Sequence, residues 1–483
     1  MEKAEPLSFS KSLTYRAEGH NGLVLSHKYN KVVYRLKKTN RLEEKSSQVT
    51  VHDEGKDQLQ QGVDYIYKVL HPLVGNEYVK PVKIVSLEEG LVDKVNTEFV
   101  RKRPGYRLEK VVDPSCHYAL QMHDACFIPK STSSHPTFSV EIKPKVGSMP
   151  IRSQTPGMNP LKYSCCRYCM HQYQKLATKK WTEVSKYCPI DLFSGDPRRM
   201  KHTLKNLIEI PQNNLRIFKN GKTILSEDTR RDLECILNED LIDNTPDQDG
   251  VDELMSLVVQ ALRHSKETER GTSRSKQACW MSNYQQAKDH HSVIAEDVSL
   301  PKGCVLDRIL QIQLLDDLGI EQLHKMYQNL EEKSQLDQSS DLYGLHNPDY
   351  DTWTITSIPQ PTAIDIDYHS YMVQKVKEYM VSATLKDCSI LVAVQRVDPG
   401  EKLNNNNVVL ERNGKYYRFS VTIIDLDIKP PEKVPDHYKL EQTILSIIES
   451  RLDILAMLEK KGLDFSNGKI NNKKSHIGAN HIQ

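Results

Sequence analysis

The spacing of apolar residues changes near residue 145, and this change limits the folds that the chain can adopt. Before it, the apolar runs at residues 13–16, 23–25 and 32–36 are short and strand-like. Only residues 58–70 repeat their apolar side chains at helical spacing. Two further strand-like runs follow at residues 118–129 and 138–144. The first part of the chain is therefore predicted to form a small, sheet-rich lobe.

The remainder of the chain has mainly helical spacing. Helices are predicted at residues 165–177, 198–210, 227–241, 305–330, 373–380 and 440–458, with an antiparallel pair of strands at 389–395 and 416–424. Residues 264–290 begin with a polar stretch that lacks an apolar period, so we interpret them as a mobile insertion. The tail at 461–483 is predicted to be disordered. This order predicts an α+β protein with an N-terminal lobe at 1–130 and a C-terminal lobe at 131–460.

The charge balance excludes one class of partner. The chain carries 66 basic and 64 acidic residues, for a net charge of +2. A protein that coats nucleic acid through its overall field needs a larger positive excess. A small polyanion remains a suitable ligand, because it needs only a local cluster of cations. We expect a monomer with small-molecule substrates, without nucleic-acid or membrane partners. Ten cysteines in a chain of this length do not form a disulfide framework, which favours a location in the cytoplasm and nucleus.

A glycine turn separates the first two strand-like runs. It contains Gly19, His20, Asn21 and Gly22, and Arg35 follows on the next run. Backbone N–H groups in such a turn can approach phosphate oxygens. A cation on the next strand can then pair with the phosphates of ATP. These residues are candidate nucleotide ligands. The alternative is an ordinary hairpin turn, since glycine and asparagine are the usual turn residues.

Two lysines lie one residue apart where an apolar strand-like run ends. Lys143 and Lys145 point to the same side, and Pro144 stiffens the backbone between them. They are candidate ligands for an anion, although most lysine pairs lie on a solvated surface. The run from Pro211 to Phe218 places polar amides before an apolar segment. It either contributes ligands or ends a helix with an asparagine in the left-handed conformation.

Two carboxylates follow a third apolar run. Asp425 and Asp427 come directly after residues 421–424, with Lys429 beside them. Mg²⁺ takes oxygen ligands from one or two carboxylates and from substrate phosphates, so these residues predict a magnesium site. Asp387 lies just before the partner run, where it can accept a hydroxyl proton. The alternative for Asp387 is a turn cap.

A group of cysteines suggests a second metal. Cys166 and Cys169 have the C-x2-C spacing of zinc ligands, and Cys188 is the preferred third ligand. The fourth ligand is undecided among an upstream group that consists of Cys116, His117, His123 and Cys126. The alternative is a set of reduced thiols on a partly buried helix, because cysteine is a frequent core residue.

Six short motifs, taken in order, resemble the inositol-pentakisphosphate 2-kinase family, and its animal branch in particular. The resemblance covers roughly residues 12–440. Its motifs are Glu141-Ile142-Lys143-Pro144-Lys145, Met170-His171-Gln172 with Lys175, Asp191-Leu192-Phe193-Ser194-Gly195, Pro211-Gln212-Asn213-Asn214, Lys386-Asp387-Cys388-Ser389-Ile390, and Asp425-Leu426-Asp427 with Lys429 and Pro430. The resemblance implies a kinase-like fold of two lobes with an added helical inositide-binding region. It also implies phosphorylation of the 2-hydroxyl of inositol 1,3,4,5,6-pentakisphosphate by ATP.

The resemblance assigns roles to residues motif by motif. The glycine turn and Arg35 would cover the ATP phosphates, while Asp124, Glu141 and Arg216 fall at nucleotide-facing positions. Asp387 would take the proton from the 2-hydroxyl, and Lys143 would offset charge on the transferred group. Asp425, aided by Asp427, would hold Mg²⁺. The inositide phosphates would be bound by Arg103, Lys143, Lys145, Lys175, Asn213, Asn214, Lys429 and Tyr438.

Two other functional classes stay open. A non-catalytic inositol phosphate-binding module explains the lysines, but it does not explain Asp387, Asp425 and Asp427, which repel an anion unless a metal is bound. A zinc-containing nucleic-acid adaptor is disfavoured by the near-neutral charge and by the lack of aromatic stacking motifs.

Overall fold

The computed structural model describes residues 6–40, 54–129, 131, 133–150, 155, 157–265, 299–336, 342, 344–346, 348–353, 355, 368–398 and 409–451. Most of the predicted insertion at 264–290 and all of the predicted tail at 461–483 lie outside these residues. Among the helices that are described, none combines the length and the apolar character of a membrane-spanning segment.

An antiparallel sheet forms the first part of the fold. Its strands are β1 (Leu13–Glu18), β2 (Gly22–His27), β3 (Val32–Asn40), β4 (Val82–Ser86), β5 (Lys110–Val112) and β6 (Tyr118–His123). Their order is β1-β2-β3-β6-β4, and β5 pairs with the end of β3. Alternate apolar side chains, among them Leu23, Leu25 and Leu36, point to one face and form a core of their own.

Helices connect strands of this first sheet, between β3 and β4 and between β4 and β5. They are α1 (Glu54–Asp64), a π-helical segment (Tyr65–Leu70), α2 (His71–Val74) and α3 (Leu91–Glu98). The buried side of α3 adds Leu91 and Val95 to the core of the first sheet. Tyr65, Val69 and Leu70 lie instead in the larger core of the second sheet, so the π-helical segment packs with the larger part of the fold.

A second antiparallel sheet lies at the centre of the larger part. Its strands are β7 (Thr137–Ile142), β8 (Leu215–Lys219), β9 (Lys222–Leu225), β10 (Ser389–Arg396), β11 (Val409–Arg412) and β12 (Lys415–Ile424), in the order β11-β12-β10-β7-β8-β9. Every residue of β10 except its last is buried. Burial of one large aliphatic side chain stabilises a fold by about 1.5–3 kcal/mol, so this strand anchors the larger core.

Helices surround the second sheet. They are α4 (Leu161–Ser164), α5 (Arg167–Ala177), α6 (Pro189–Leu192), α7 (Pro197–Glu209), α8 (Leu233–Asp240), α9 (Gly250–Arg263), α10 (Val305–Gln313), α11 (Ile320–Leu336), α12 (Tyr368–Asp387) and α13 (Lys433–Glu449). Two of them, α5 and α11, pack against α13. This group of three helices forms a wall beside one edge of the second sheet.

The structure confirms the α+β class and most predicted elements, with several corrections. The strand-like run at 138–144, grouped above with the first part of the chain although it follows the lobe boundary predicted at 130, becomes β7 in the second sheet. The predicted helix at 305–330 is two helices, because the chain turns between them at Gly319, whose φ of 78° suits only glycine without strain. The predicted helix at 227–241 is limited to α8, and α9 was missed although its apolar face is almost wholly buried.

Boundaries moved at three other predicted elements. The run at 118–129 ends as a strand at His123, and the helix predicted at 373–380 is only the middle of α12. The final predicted helix begins earlier, at Lys433, and the end predicted for it at 458 lies outside the described residues. The short prediction for α12 follows from its surroundings, because polar residues such as Lys375, Glu378 and Thr384 are buried beside the apolar ones and the helix shows little of the periodicity that a surface helix has.

Candidate active site

Strand register brings the predicted polar residues to one edge of the second sheet. Ile142 at the end of β7 pairs with Ile390 near the start of β10 and with Leu215 at the start of β8. Ser389 at the start of β10 pairs with Ile424 at the end of β12. The residues next to these ends, which include Lys143, Asn214, Asp387 and Asp425, therefore emerge side by side.

Lysines surround the Asp387 carboxylate at this edge. Lys145 Nζ lies 3.2 Å from Asp387 Oδ1, and Lys429 Nζ lies 3.0 Å from Asp387 Oδ2. Burial raises the pKa of Asp387, but the charges of Lys145, Lys429 and Lys143 outweigh it and hold the pKa below its ordinary value. Asp387 is therefore a carboxylate at neutral pH, with the acceptor capacity that a general base needs.

Asp425 occupies a strained backbone position immediately after β12. Its φ is 60°, in the left-handed region that only a few non-glycine residues adopt. Its Oδ2 accepts a hydrogen bond of 3.2 Å from Ser389 Oγ and lies 3.8 Å from Lys143 Nζ. About half of its side chain is exposed. Its remaining oxygen is therefore accessible to a hard cation that prefers carboxylate ligands.

Asp427 connects this edge to the first sheet. Arg35 on β3 donates from Nη1 to Asp427 Oδ1 at 2.7 Å and pairs a second time through Nη2 and Oδ2. Although burial opposes it, this fork holds the pKa of Asp427 below its ordinary value. Arg35 also packs against the glycine turn, where a Cβ added to Gly22 would lie 2.8 Å from Arg35 Nε. Glycine at this position lets the arginine cross beneath the turn.

The glycine turn has the hydrogen bonding of a tight hairpin. Gly19 N–H donates to the Gly22 carbonyl at 2.8 Å, and the side chains of His20 and Asn21 face Lys110 Nζ at 3.0 and 3.4 Å. Asn21 reaches the cavity that the second sheet borders. The turn is therefore a hairpin, as its glycine and asparagine residues predict, and it is also part of the candidate site.

Three predicted nucleotide ligands lie along or near the inner side of the second sheet. Glu141 and Arg216 are directly opposite in the pairing of β7 with β8, with Arg216 Nη1 3.4 Å from Glu141 Oε2. Asp124 lies in the connection from β6 to β7. Its Oδ1 accepts from Cys126 N–H at 3.1 Å, and its Oδ2 pairs with Arg16. Because its carboxylate is buried and already hydrogen-bonded, Asp124 is better placed to stabilise the connection between the two sheets than to contact a nucleotide.

A cavity of about 1150 Å³ opens beside these groups. Its floor includes Lys145, Asp387 and Lys429 at the sheet edge, and its wall includes the helices α5 and α13. Predicted inositide ligands that line it are Lys145, Lys175, Asn213, Asn214 and Lys429. It also contains cationic or polar residues to which the sequence assigned no ligand role, among them Lys162, Arg167, His171, Gln313, Lys386, Lys433 and His437.

Three of the cavity residues share one face of α5. Arg167, His171 and Lys175 are four residues apart, a spacing that aligns side chains along a helix. That spacing was visible in the sequence beside the motif that includes His171 and Lys175. One further helical turn toward the N-terminus from His171 leads to Arg167.

The cavity holds more positive charge than its own carboxylates neutralise. Burial, followed by the charges of Lys175 and Arg167, lowers the pKa of His171 to about 3. Burial, followed by the charges of Lys145 and Lys180, lowers the pKa of Lys175 to about 8. Lys175 Nζ lies 3.7 Å from the centre of the Trp181 ring, so an aromatic face helps to hold it. Such mutual repulsion is relieved by a polyanion, which is the kind of ligand this cavity suits.

Other predicted inositide ligands have different surroundings. Arg103 is buried and forks onto Glu18, with both N···O distances at 2.8 Å. Tyr438 stacks on His324, with ring centroids 4.2 Å apart. Asn214 is buried and donates to the Tyr168 hydroxyl at 2.9 Å, while its Oδ1 has no hydrogen-bond partner among the described residues.

The three selected cysteines converge. Ligand atoms of Cys166, Cys169 and Cys188 all lie within 4.8 Å of one another. The neighbouring thiols Cys169 and Cys188, with burial, raise the pKa of Cys166 well above its ordinary value. A cation would reverse this shift by stabilising thiolates. None of the upstream residues considered as a fourth ligand joins this cluster within the described ranges.

Known proteins resemble the chain over most of its length. The sequence model of the inositol-pentakisphosphate 2-kinase family matches residues 15–443. A zebrafish inositol-pentakisphosphate 2-kinase is 32% identical over 89% of this chain and 92% of its own length. The Arabidopsis thaliana enzyme of the same name is 30% identical over 79% of this chain and 76% of its own length.

Proposed function

Because the chain belongs to the inositol-pentakisphosphate 2-kinase family, we propose that it transfers a phosphoryl group from ATP to the 2-hydroxyl of inositol 1,3,4,5,6-pentakisphosphate. The product is inositol hexakisphosphate. One observation carries this proposal beyond the family: a carboxylate held between two lysines borders a cavity with excess positive charge. The cations suit a polyphosphate, and the carboxylate supplies the proton acceptor that transfer to a hydroxyl needs.

Asp387 accepts the proton of the attacking hydroxyl in this proposal. Its low pKa keeps it ionised, and the lysines at Oδ1 and Oδ2 hold the carboxylate at the sheet edge. Lys143 lies on the side of Asp425 and offsets the negative charge that develops on the transferred group. Catalysis of this type depends mainly on positioning and on neutralised charge.

The nucleotide lies between the two sheets in this proposal. The glycine turn and Arg35 approach the phosphates of ATP, while Glu141 and Arg216 border the nucleotide from the second sheet. Asp124 supports the part of the site near the adenine base indirectly, because its carboxylate holds Arg16 and accepts a hydrogen bond from Cys126 N–H.

Asp425 and Asp427 fit a bound Mg²⁺. Both offer carboxylate oxygens at the edge where the phosphates would lie, and Asp425 is half exposed. When bound, the ion neutralises phosphate charge. The two carboxylates are held in place for this role, because Ser389 orients Asp425 and Arg35 orients Asp427.

The inositide occupies the cavity. Lys145, Lys175, Asn213, Asn214 and Lys429 are its proposed ligands, and Arg167 and His171 join them on the face of α5. Arg103 and Tyr438 remain proposed ligands that need rearrangement. Arg103 must release Glu18 before it can donate to a phosphate.

We also propose that Cys166, Cys169 and Cys188 hold a structural Zn²⁺. The donor set fits, since three sulfurs converge and Zn–S bonds of about 2.3 Å place neighbouring thiolates at such separations. The cluster lies at the start of α5, so a metal there would fix the helix that carries Arg167. The cytoplasm and nucleus, which are the proposed location, keep thiols reduced and so leave these cysteines available to a metal.

Incubation with ATP, Mg²⁺ and the pentakisphosphate tests the activity. We expect hexakisphosphate in the wild type and a well-folded Lys143→Ala variant with greatly reduced turnover. Binding of the pentakisphosphate without any product would instead support the non-catalytic binding module.

A further inference from the structure

A buried glutamine borders the cavity of the candidate active site, beside Lys145 and Asp387. Gln313 is the last residue of α10 and is about 1% exposed. Its Oε1 accepts from Gly147 N–H at 2.9 Å. Its Nε2 donates to the Lys145 carbonyl at 2.8 Å and to the Leu385 carbonyl at 3.0 Å. One side chain therefore joins the segment after β7 to the end of α12.

The segment after β7 needs such support. Lys145 has a φ of 61°, a left-handed conformation that its surroundings must maintain. Tyr187 Oη donates to the Pro144 carbonyl at 2.8 Å, and this hydrogen bond fixes the residue that precedes Lys145. Gly147 lies against the Phe193 ring so closely that a Cβ would approach within 2.4 Å. Gln313 fixes both the strained residue and this close contact.

The end of α12 is the other side of the connection. The last carbonyls of a helix have no partner within the helix and need donors from elsewhere. Gln313 donates to one of them, that of Leu385, two residues before Asp387. The Ser382 hydroxyl also donates to the Gln313 carbonyl at 2.7 Å, so side chain and backbone both attach to α12.

We propose that Gln313 is a positioning residue that holds the backbone of Lys145 against the C-terminus of α12, so that the Lys145 ammonium stays beside Asp387. Gln313 contacts neither reacting group and acts through these two backbone segments. The inference rests on the proposed function, because it gives Lys145 and Asp387 their roles in phosphoryl transfer.

Lost stability alone would not establish positioning, since any buried amide stabilises its surroundings. Gln395 supplies the matched control. Like Gln313 it is a buried glutamine, and its Nε2 donates to the His135 carbonyl at 2.5 Å. It lies in β10, at the end of the strand that is far from Asp387. Both Gln313→Met and Gln395→Met remove buried hydrogen bonds of the same kind.

Steady-state kinetics of the full chain is the first test. We expect Gln313→Met to lower kcat/KM for the pentakisphosphate about tenfold, with the KM for ATP kept within about twofold. Gln395→Met should lower the melting temperature but keep kcat/KM for the pentakisphosphate and the KM for ATP within about twofold of the wild-type values. Equal losses in the two variants, or a matching rise in the KM for ATP, would overturn the proposal.

A double-mutant cycle with Lys145→Ala tests the route. If Gln313 acts through Lys145, the double variant loses no more than about threefold beyond Lys145→Ala alone. Lys175→Ala, on a helix without a hydrogen bond to Gln313, should combine with Gln313→Met multiplicatively within about twofold. A fully multiplicative effect with Lys145→Ala would show that Gln313 does not act through that lysine.

Hydrogen exchange gives a reading that does not depend on turnover. Gln313→Met should speed exchange of the Gly147 amide at least about tenfold, whereas Gln313→Glu keeps the acceptor and should protect that amide more than Met does. If the wild type makes no hexakisphosphate, the proposed function fails while this measurement still decides on Gln313. Unchanged Gly147 exchange in a folded Gln313→Met protein would refute the inference.

Discussion

At the scale of single residues, charge decides the properties of the site. Burial raises the pKa of Asp387, but the surrounding lysines outweigh it and keep the carboxylate ionised, while burial and then the neighbouring cations lower the pKa of Lys175 and of His171. The same electrostatic field therefore keeps the carboxylate ionised and attracts a polyanion. These opposite effects separate the role of the carboxylate from the roles of the cations around it.

Asp387→Asn should separate chemistry from binding. Loss of the proton acceptor is expected to lower kcat by about 10²–10⁴-fold. Removal of a negative charge from beside Lys145 and Lys429 should leave affinity for the pentakisphosphate equal or higher. Calorimetry and single-turnover assays measure the two effects. A large loss of affinity with a normal rate of transfer would contradict the assignment of Asp387 as base.

Proton uptake should accompany inositide binding at mildly alkaline pH. The pKa of Lys175 is about 8 in the free protein, and a bound phosphate raises it because it favours the charged form. Near and above pH 8 the free lysine is partly neutral, so binding takes up a proton and affinity falls as pH rises. Calorimetry in buffers of different ionisation enthalpy measures the uptake. Lys175→Met should reduce it, and an undiminished uptake would assign it to another group.

At the scale of elements, strand ends and helix starts locate the chemistry. Motifs at the ends of β7 and β12 and before β10 meet because antiparallel register aligns these strands. The α5 helix adds a line of cations on one face and begins at the cysteine cluster. The sequence therefore identified the polar motifs at these strand ends, since a polar motif directly after an apolar run is a local signal. It did not identify α9, although its apolar face is regular, or the break between α10 and α11, which turns at the left-handed Gly319.

Removal of zinc should loosen the start of α5. Cys169→Ser takes one sulfur from the cluster, so we expect less than one bound zinc per chain and a lower melting temperature than in wild type. Metal analysis and thermal unfolding check both. Cys235, which is exposed and outside the cluster, gives the control variant Cys235→Ser. Equal metal content in the two variants would exclude a zinc site at these cysteines.

At the scale of the whole molecule, the site depends on contacts between the two sheets. Arg35 and Asp427 are separated by 392 positions in the sequence, yet the fork between them joins β3 to the edge next to β12. Asn21 of the glycine turn borders the same cavity as Lys145. A nucleotide bound between the sheets and an inositide bound in the cavity would therefore share one boundary.

Arg35→Lys should weaken the nucleotide side of the site. Lysine keeps the charge but cannot form the two parallel hydrogen bonds to Asp427. We expect the KM for ATP to rise about tenfold, with the KM for the pentakisphosphate changed less than about twofold. Initial rates over a matrix of both substrates measure this. Equal rises in both constants would indicate that the fork supports the whole interface between the sheets.

The sequence by itself determined the α+β class, most strands and helices, and the motifs that carry charge at strand ends. These are local properties, because apolar spacing and the residues beside a strand end are written within a few positions of each other. Only the tertiary structure decided which of these residues meet. Lys145 and Asp387 come together across 242 positions, Cys188 joins Cys166 and Cys169, and Arg103 pairs with Glu18. The role of Gln313 was likewise invisible in the sequence, since a glutamine at the end of an apolar helix gains its meaning only from the carbonyls that the packed chain brings to it.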